Sequence, residues 1–182
     1  GPLATTEIER EQAPVKEILK IGEQADLRDF PIVRHHEMDL GSYIDMVPIM
    51  RDPTTGVYNA AFLRTMFKGP RQLGLYMSPR HNWEIVRRNE EFDRPTPVVI
   101  AVSHHPAFFL GSLNSVAFEI DDYEIIGAIM GKNLRLTPSE TWGKKFWVPA
   151  DADILIEGEV QPGQREIEAP FGEWTGYYGA QR

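Results

Sequence analysis

Short apolar segments separated by turn signals recur from residue 46 to residue 160. This pattern restricts the chain to folds with many short strands. Residues 46–50 are apolar, residues 51–56 read Arg-Asp-Pro-Thr-Thr-Gly, and a second apolar segment covers residues 57–67. A polar stretch with Pro and Gly between two apolar runs is typical of a hairpin turn. The same alternation predicts further strands over residues 73–77, 97–102, 123–130, 134–136, 145–148 and 154–160.

Two segments carry helical signals instead. Residues 79–92 follow Ser78, which can cap a helix, and they place Pro79 in the first turn. Residues 106–113 predict a shorter apolar helix. Two or three helices among many short strands predict an α+β fold around a curled antiparallel sheet or barrel.

The length of 182 residues suits one domain with a sizeable core and is short for two. Residues 1–13 are polar and are expected to be a flexible lead or a cloning scar. The domain itself is therefore expected to cover residues 14–182.

Charge and cysteine content exclude several classes of protein. The chain has 19 Lys and Arg against 27 Asp and Glu, which argues against nucleic-acid binding because phosphate backbones require clustered cations. It has no cysteine, so disulfides, thiolate nucleophiles and Cys-based metal sites are excluded, and a cytoplasmic location fits. No apolar run approaches the roughly 20 residues of a membrane helix. We expect neither nucleic acid nor membrane among the partners.

The stretch from Glu168 to Glu173 carries the most informative chemical pattern. It reads Glu-Ala-Pro-Phe-Gly-Glu, so two carboxylates flank a rigid Pro and a permissive Gly. Such a turn can fold back and aim both acids at one place, where like charges raise each other's pKa. On charge alone, an exposed acidic turn is the commoner outcome.

Two other positions are candidates for binding. Arg64 lies in an apolar segment, where it either pairs with a carboxylate or phosphate or reaches water from an edge strand. His81 stands at the head of the helix predicted over residues 79–92, where free backbone N–H groups suit a phosphate. Its imidazole could bind a metal, although a lone histidine is more often a surface or core residue.

The order and spacing of these segments closely resemble the central domain of UbiD-like decarboxylases, from about Pro14 to Tyr178. The matching motifs are Asn59-x-x-x-x-Arg64, Ser78-Pro-x-His81, the Gly127-Ala128 segment, Val148-Pro-Ala-Asp-Ala-Asp-Ile-Leu-Ile-Glu-Gly158-Glu and Glu168-Ala-Pro-Phe-Gly-Glu173. The resemblance implies a split β-barrel of the flavin-reductase type with a few flanking helices. It also implies prenylated FMN, Mn²⁺ or Mg²⁺, and K⁺ as cofactors.

The resemblance assigns catalysis to Arg64, Glu168 and Glu173. Arg64 would pair with Glu168 and orient the substrate carboxylate, a task that suits its planar fork. Glu173 would protonate carbon once CO₂ has left. The alternative is that the three form an ion-pair network that only braces the fold.

Cofactor contacts follow from the same resemblance. The metal ligands would be Asn59, His81 and Asp122, with Asp121 or Glu124 as alternatives for the third ligand. K⁺ would lie near Gly111 and Ser112. The residues that the resemblance assigns to the flavin are Asn59, Ala61, Phe62, Arg64, Arg80 and His81.

The implied activity is reversible decarboxylation of small aromatic or α,β-unsaturated carboxylic acids. UbiD-like enzymes add an N-terminal segment and a large C-terminal domain, which this sequence lacks, so little or no turnover is expected without that domain or a partner chain. Two alternatives remain. The chain could be a stand-alone flavin-binding module, or a split-barrel flavin reductase in which the acidic turn is structural.

Overall fold

The computed structural model describes residues 1–179, which form three α-helices, four single 3₁₀ turns and nine strands in three sheets. The helices are α1 (His81–Glu90), α2 (Pro106–Ser112) and α3 (Asp122–Met130). The 3₁₀ turns are Arg10–Gln12, Pro14–Lys16, Gly22–Gln24 and Leu27–Asp29. The strands are β1 (Thr6–Glu7), β2 (Val47–Arg51), β3 (Tyr58–Ala60), β4 (Thr65–Gly69), β5 (Gln72–Leu75), β6 (Thr96–Val102), β7 (Arg135–Ser139), β8 (Gly143–Pro149) and β9 (Ile154–Val160).

The chain divides into two compact units. The first unit comprises residues 1–18, 46–62 and 78–163, and it contains all three α-helices and every strand except β4 and β5. The second unit comprises residues 19–45, residues 63–77 and the chain from Gln164 onward, and it contains β4 and β5.

Strand β6 lies inside the four-stranded sheet of the first unit, which has the order β3-β2-β6-β9 with antiparallel neighbours. Its sequence, Thr-Pro-Val-Val-Ile-Ala-Val, is rich in the β-branched residues that suit a buried strand. Each fully buried aliphatic side chain contributes about 1.5–3 kcal/mol. The core around β6 includes Val47, Ile49, Val99, Ala101, Phe108, Tyr123, Ile126, Phe146 and Val148.

The second sheet of this unit has the order β1-β7-β8. Strand β1 runs parallel to β7, and Thr6 and Glu7 pair with Arg135 and Leu136. The segment that the sequence suggested as a flexible lead thus contributes one short strand. None of the helices in residues 1–179 is long and apolar enough to cross a membrane.

Helix α3 occupies residues for which a strand was predicted, so that prediction was wrong. Asp121 accepts a hydrogen bond from the Tyr123 N–H at 2.9 Å and caps the helix, and Gly131 ends it with a φ of 72°. A short apolar run does not by itself distinguish a buried strand from a buried helix. Gly111 of α2 packs against α3, since a Cβ there would lie 2.8 Å from the Ile126 Cα.

The α+β class is confirmed, but the split β-barrel expected from the resemblance is wrong for residues 1–179. The three sheets are open, with two, three and four strands, and none closes on itself. A barrel requires continuous pairing around a ring. The strand predicted over residues 57–67 is instead interrupted after Ala60, so that β3 pairs with β2 whereas β4 pairs with β5.

In the second unit, β4 and β5 form an antiparallel hairpin. Tyr43 is buried and makes isolated bridges to Val33 and to Met66 of β4. Through these bridges, the irregular segment before residue 46 is tied to the hairpin.

Candidate active site

The three predicted catalytic side chains contact one another within the second unit. Arg64 donates from Nε and Nη2 to the two carboxylate oxygens of Glu168, at 2.8 and 2.7 Å. Its Nη1 donates to Glu173 Oε1 at 2.7 Å. The side chains of Arg64 and Glu168 are 12% and 8% exposed, whereas that of Glu173 is 41% exposed. One guanidinium therefore holds a buried and a more accessible acid at the same time.

Two aromatic rings fix the orientation of the Arg64 guanidinium. Its Cζ lies 4.3 Å from the centre of the Tyr76 ring and 4.8 Å from that of Phe171. Such cation–π contacts favour a charged, planar group between ring faces. Arg64 immediately precedes β4 and lies in the interruption between β3 and β4.

Burial and hydrogen bonding act in opposite directions on the Arg64–Glu168 pair. Burial raises the pKa of Glu168 above its ordinary value, although the hydrogen bonds from Arg64 oppose this. Burial opposes protonation of Arg64, but its bonds to Glu168 and Glu173 outweigh burial and raise its pKa. The guanidinium stays charged at any pH at which the protein is folded.

The turn that carries the two acids is closed by its own backbone. The Glu173 N–H donates to the Tyr177 carbonyl at 2.9 Å, and the Gly179 N–H donates to the Phe171 carbonyl at 3.0 Å. Gly172 lies close to the half-exposed His36 ring, which would have to move to make room for a Cβ at this position.

A second group of predicted residues lies within the first unit. Asn59 is in β3 and His81 begins α1, and His81 Nδ1 lies 3.0 Å from Asn59 Oδ1. Asn59 Nδ2 donates to Asn82 Oδ1 at 2.7 Å, and both amides are buried. Asn82 thus holds the amide nitrogen of Asn59 and leaves its oxygen on the side of the imidazole.

The start of α3 is attached to the free edge of β3. The Tyr58 N–H donates to Asp121 Oδ2 at 3.0 Å, and the Ala60 N–H donates to Asp122 Oδ2 at 2.8 Å. The other Asp121 oxygen caps α3 through Tyr123. Burial raises the pKa of Asp122 to about 7. Glu124, the remaining alternative, lies two residues further along α3.

The remaining predicted residues all lie in the first unit. Ala61 and Phe62 follow β3, and the Phe62 ring stands edge-on to Phe109 with centres 5.7 Å apart. Arg80 precedes α1 in an extended conformation. Ser78, expected to cap α1, does not do so, because the helix begins only at His81. Gly111 and Ser112 end α2, and both are buried.

The donors around Asn59 suit a hard divalent cation. An amide oxygen, an imidazole nitrogen and a carboxylate are ligands that Mn²⁺ and Mg²⁺ accept. Within residues 1–179, no three His, Asp or Glu side chains form a metal-binding group by themselves. A cation here would therefore depend on the Asn59 amide and on oxygen ligands from outside the chain.

Three residues near these groups were missed by the sequence analysis. Asn82 could have been noticed as the neighbour of His81 at the head of a helix. Asp39 accepts the Gly172 N–H at 2.7 Å, and Tyr43 donates to the Glu168 carbonyl at 2.7 Å. Both lie in an irregular segment without periodicity, which gave no signal for them.

Comparisons with known proteins agree on one family. Residues 6–182 match the family model described as UbiD, 3-octaprenyl-4-hydroxybenzoate carboxy-lyase Rift-related domain. The chain is 34% identical over 179 residues to a phenolic acid decarboxylase of Bacillus subtilis, covering 94% of this chain and 37% of the relative. It is 35% identical over 160 residues to the anhydromevalonate phosphate decarboxylase of Methanothermobacter thermautotrophicus, covering 87% of this chain and 37% of the relative.

Solved structures give the same result. The UbiD-class enzyme HmfF from Pelotomaculum thermopropionicum in complex with FMN has a TM-score of 0.94 and 38% identity, with 100% of this chain and 41% of that chain covered. An evolved dimeric form of the same enzyme in complex with prFMN has a TM-score of 0.93 and 38% identity, with 100% and 42% covered. The chain thus spans about two fifths of the length of these relatives.

Proposed function

Because this chain belongs to the UbiD carboxy-lyase family, we propose that it is the flavin- and metal-binding domain of a prenylated-FMN-dependent decarboxylase. The substrates would be aromatic or α,β-unsaturated carboxylic acids, and the reaction would be reversible. The phenolic acid decarboxylase of B. subtilis supports the substrate class, and the HmfF complexes support the flavin. The observation that carries the proposal is the contact of Arg64 with both Glu168 and Glu173.

Prenylated FMN, when bound, would supply the electron sink that makes loss of CO₂ possible. Arg64 would orient the substrate carboxylate. Two acids stabilise its charge, and two aromatic rings contact its guanidinium group. Glu168 would hold Arg64 through the bidentate pair. Glu173 would deliver the proton to carbon, and its greater exposure leaves room for it to meet a substrate.

The metal would be Mn²⁺ or Mg²⁺, bound by the Asn59 oxygen, a ring nitrogen of His81 and Asp122, with the flavin phosphate as an outside ligand. Asp122 is preferred over Asp121, because both oxygens of Asp121 already accept backbone N–H groups. K⁺ would bind near the backbone of Gly111 and Ser112. Ala61, Phe62 and Arg80 complete the residues that we assign to the flavin.

Turnover would require more protein than this chain. The chain spans about two fifths of its relatives, so we propose that residues 14–182 form one flavin-binding domain that works with a further domain or partner chain. An active site that is open to water loses the low-dielectric surroundings that strengthen its electrostatics.

The proposal is tested by co-expressing the chain with a flavin prenyltransferase and measuring the native mass and absorbance of the purified protein. We expect a mass increase equal to one prenylated FMN and a divalent cation. Recovery of unmodified FMN together with NADH oxidation would instead favour a flavin reductase and would overturn the proposal.

A further inference from the structure

Three hydrogen bonds connect the segment 36–43 to the turn 168–173, which we call the acid turn. The Gly172 N–H donates to Asp39 Oδ1 at 2.7 Å, and the Leu40 N–H donates to the Pro170 carbonyl at 2.9 Å. The Tyr43 hydroxyl donates to the Glu168 carbonyl at 2.7 Å. The acid turn is therefore held at Glu168, at Pro170 and at Gly172, the residue immediately before Glu173.

Asp39 contributes the one carboxylate among these three contacts. It is 0% exposed, and each of its carboxylate oxygens accepts a backbone N–H, from Gly172 and, at 2.9 Å, from His36. Burial works against the charged form, but these two bonds outweigh it and lower the pKa of Asp39. A fully buried carboxylate is costly unless it is hydrogen-bonded, and here its partner is the residue immediately before Glu173.

Tyr43 connects the same turn to Arg64 by packing. Its ring stands edge-on to Phe171 with centres 4.7 Å apart, and the Arg64 guanidinium lies over Phe171. Because Tyr43 also bonds to the Glu168 backbone, a shift of this ring would move the acid and the aromatic face together.

We propose that Asp39 and Tyr43 are positioning residues that fix the carboxylates of Glu168 and Glu173 at the Arg64 guanidinium. Neither residue needs to touch substrate, because each acts on the backbone that carries an acid. The inference rests on the proposed decarboxylase function for its catalytic consequence, but its structural part can be tested without any activity.

The structural test is amide hydrogen exchange in the 182-residue chain. Asp39→Asn keeps the shape of the side chain but replaces one acceptor oxygen with an NH₂ group, which then faces a backbone N–H. The asparagine oxygen can accept only one of the Gly172 and His36 N–H groups, so we expect the amide that then faces the NH₂ group to exchange about tenfold faster, the factor that corresponds to loss of one hydrogen bond. Unchanged exchange at both Gly172 and His36 would overturn the proposal.

Asp52→Asn is the matched control. Asp52 is 1% exposed and accepts the Thr54 and Thr55 N–H groups at 2.8 and 2.7 Å in the turn between β2 and β3. It is an equally buried aspartate that holds a different turn and whose other oxygen pairs with Arg88 at 2.8 Å, so Gly172 exchange should not change. Tyr43→Phe, which removes only one hydroxyl, provides a second test if Asp39→Asn does not fold.

The catalytic test uses the full-length enzyme loaded with prenylated FMN. We expect Asp39→Asn to lower kcat about 10- to 100-fold while KM changes less than about threefold, because misplaced acids impair proton transfer more than substrate binding. A similar loss in Asp52→Asn would indicate a general effect on folding and would overturn the positioning role.

Failure of the underlying function gives a different pattern. If the Arg64→Ala variant decarboxylates at the wild-type rate, the proposed function is wrong, regardless of the result for Asp39→Asn. If Arg64→Ala is inactive while Asp39→Asn and Tyr43→Phe keep wild-type kcat, only the positioning role is wrong.

Discussion

Arg64 uses three guanidinium N–H groups in one plane, two for Glu168 and one for Glu173. This arrangement depends on the shape of the group as well as on its charge. A lysine ammonium is a compact point charge that cannot form a bidentate pair with one carboxylate while it also contacts two aromatic rings. We therefore expect no other cationic side chain to replace Arg64 without loss of function.

Substitution of Arg64 tests this directly. We expect both Arg64→Ala and Arg64→Lys to lower decarboxylation by the full-length enzyme at least about 100-fold, as for loss of preorganised hydrogen-bond donors, with metal content unchanged. Arg87→Ala is the control, because Arg87 is half-exposed and pairs with Glu84 on α1 and with Glu91 just after it. Wild-type activity in Arg64→Lys would contradict the role of the planar fork.

The amide–imidazole pair predicts how metal retention responds to substitution. His81→Ala should weaken Mn²⁺ binding by the chain at least about 100-fold, because it removes one of the proposed ligands. Asn82→Ala should weaken it about tenfold, because Asn82 orients Asn59 without binding the metal itself. Both are measured by metal analysis after dialysis.

The exposed His35 serves as the control for this measurement, and His35→Ala should retain metal normally. Equal metal content in wild type and His81→Ala would remove His81 from the ligands. A loss in Asn82→Ala as large as that in His81→Ala would mean that Asn82 does more than orient its neighbour.

At the scale of secondary-structure elements, the strands that could be predicted are those with clear turn signals in the sequence at their ends. Strand β9 was predicted with its exact bounds, and the turn at residues 51–56 does connect β2 to β3. Helix α3 was missed, because nine mostly apolar residues fit either a buried strand or a buried helix until Asp121 is seen to cap them. The break after Ala60 was also missed, since the apolar run continues through it.

The candidate site shows the same difference between residues marked by a local sequence pattern and residues placed by long-range contacts. Glu168 and Glu173 could be singled out because Pro and Gly mark the turn between them, but their pairing with Arg64 was implied only by the family resemblance. Asp39 and Tyr43 could not, because their importance arises from contacts with residues more than 120 positions away. Long-range hydrogen bonds leave no local periodicity.

The close contact between Gly172 in the acid turn and the His36 ring leads to a prediction about stability. Gly172→Ala should lower the free energy of unfolding by about 1–3 kcal/mol, because its Cβ would overlap the His36 ring. In a His36→Ala background the same substitution should cost much less. Urea denaturation of all four variants gives the coupling free energy, and purely additive effects would contradict the contact.

At the scale of the whole molecule, the chain contains the candidate catalytic and metal-binding residues. It spans only about two fifths of the length of its relatives. We expect the purified chain to retain flavin after co-expression with a prenyltransferase and yet to release almost no CO₂ from phenolic acids. The measurement is product formation by the chain beside that of the full-length enzyme at equal flavin content. Comparable rates would show that no further domain is needed.

The attachment of α3 to β3 has a consequence for solution behaviour. Strand β3 ends its sheet, and an unprotected outer strand can recruit the backbone of another molecule. Asp121 and Asp122 already occupy the outward N–H groups of Tyr58 and Ala60, so these groups are not available to the backbone of another molecule. The same carboxylates that bring α3 beside Asn59 therefore also discourage self-association into fibrils.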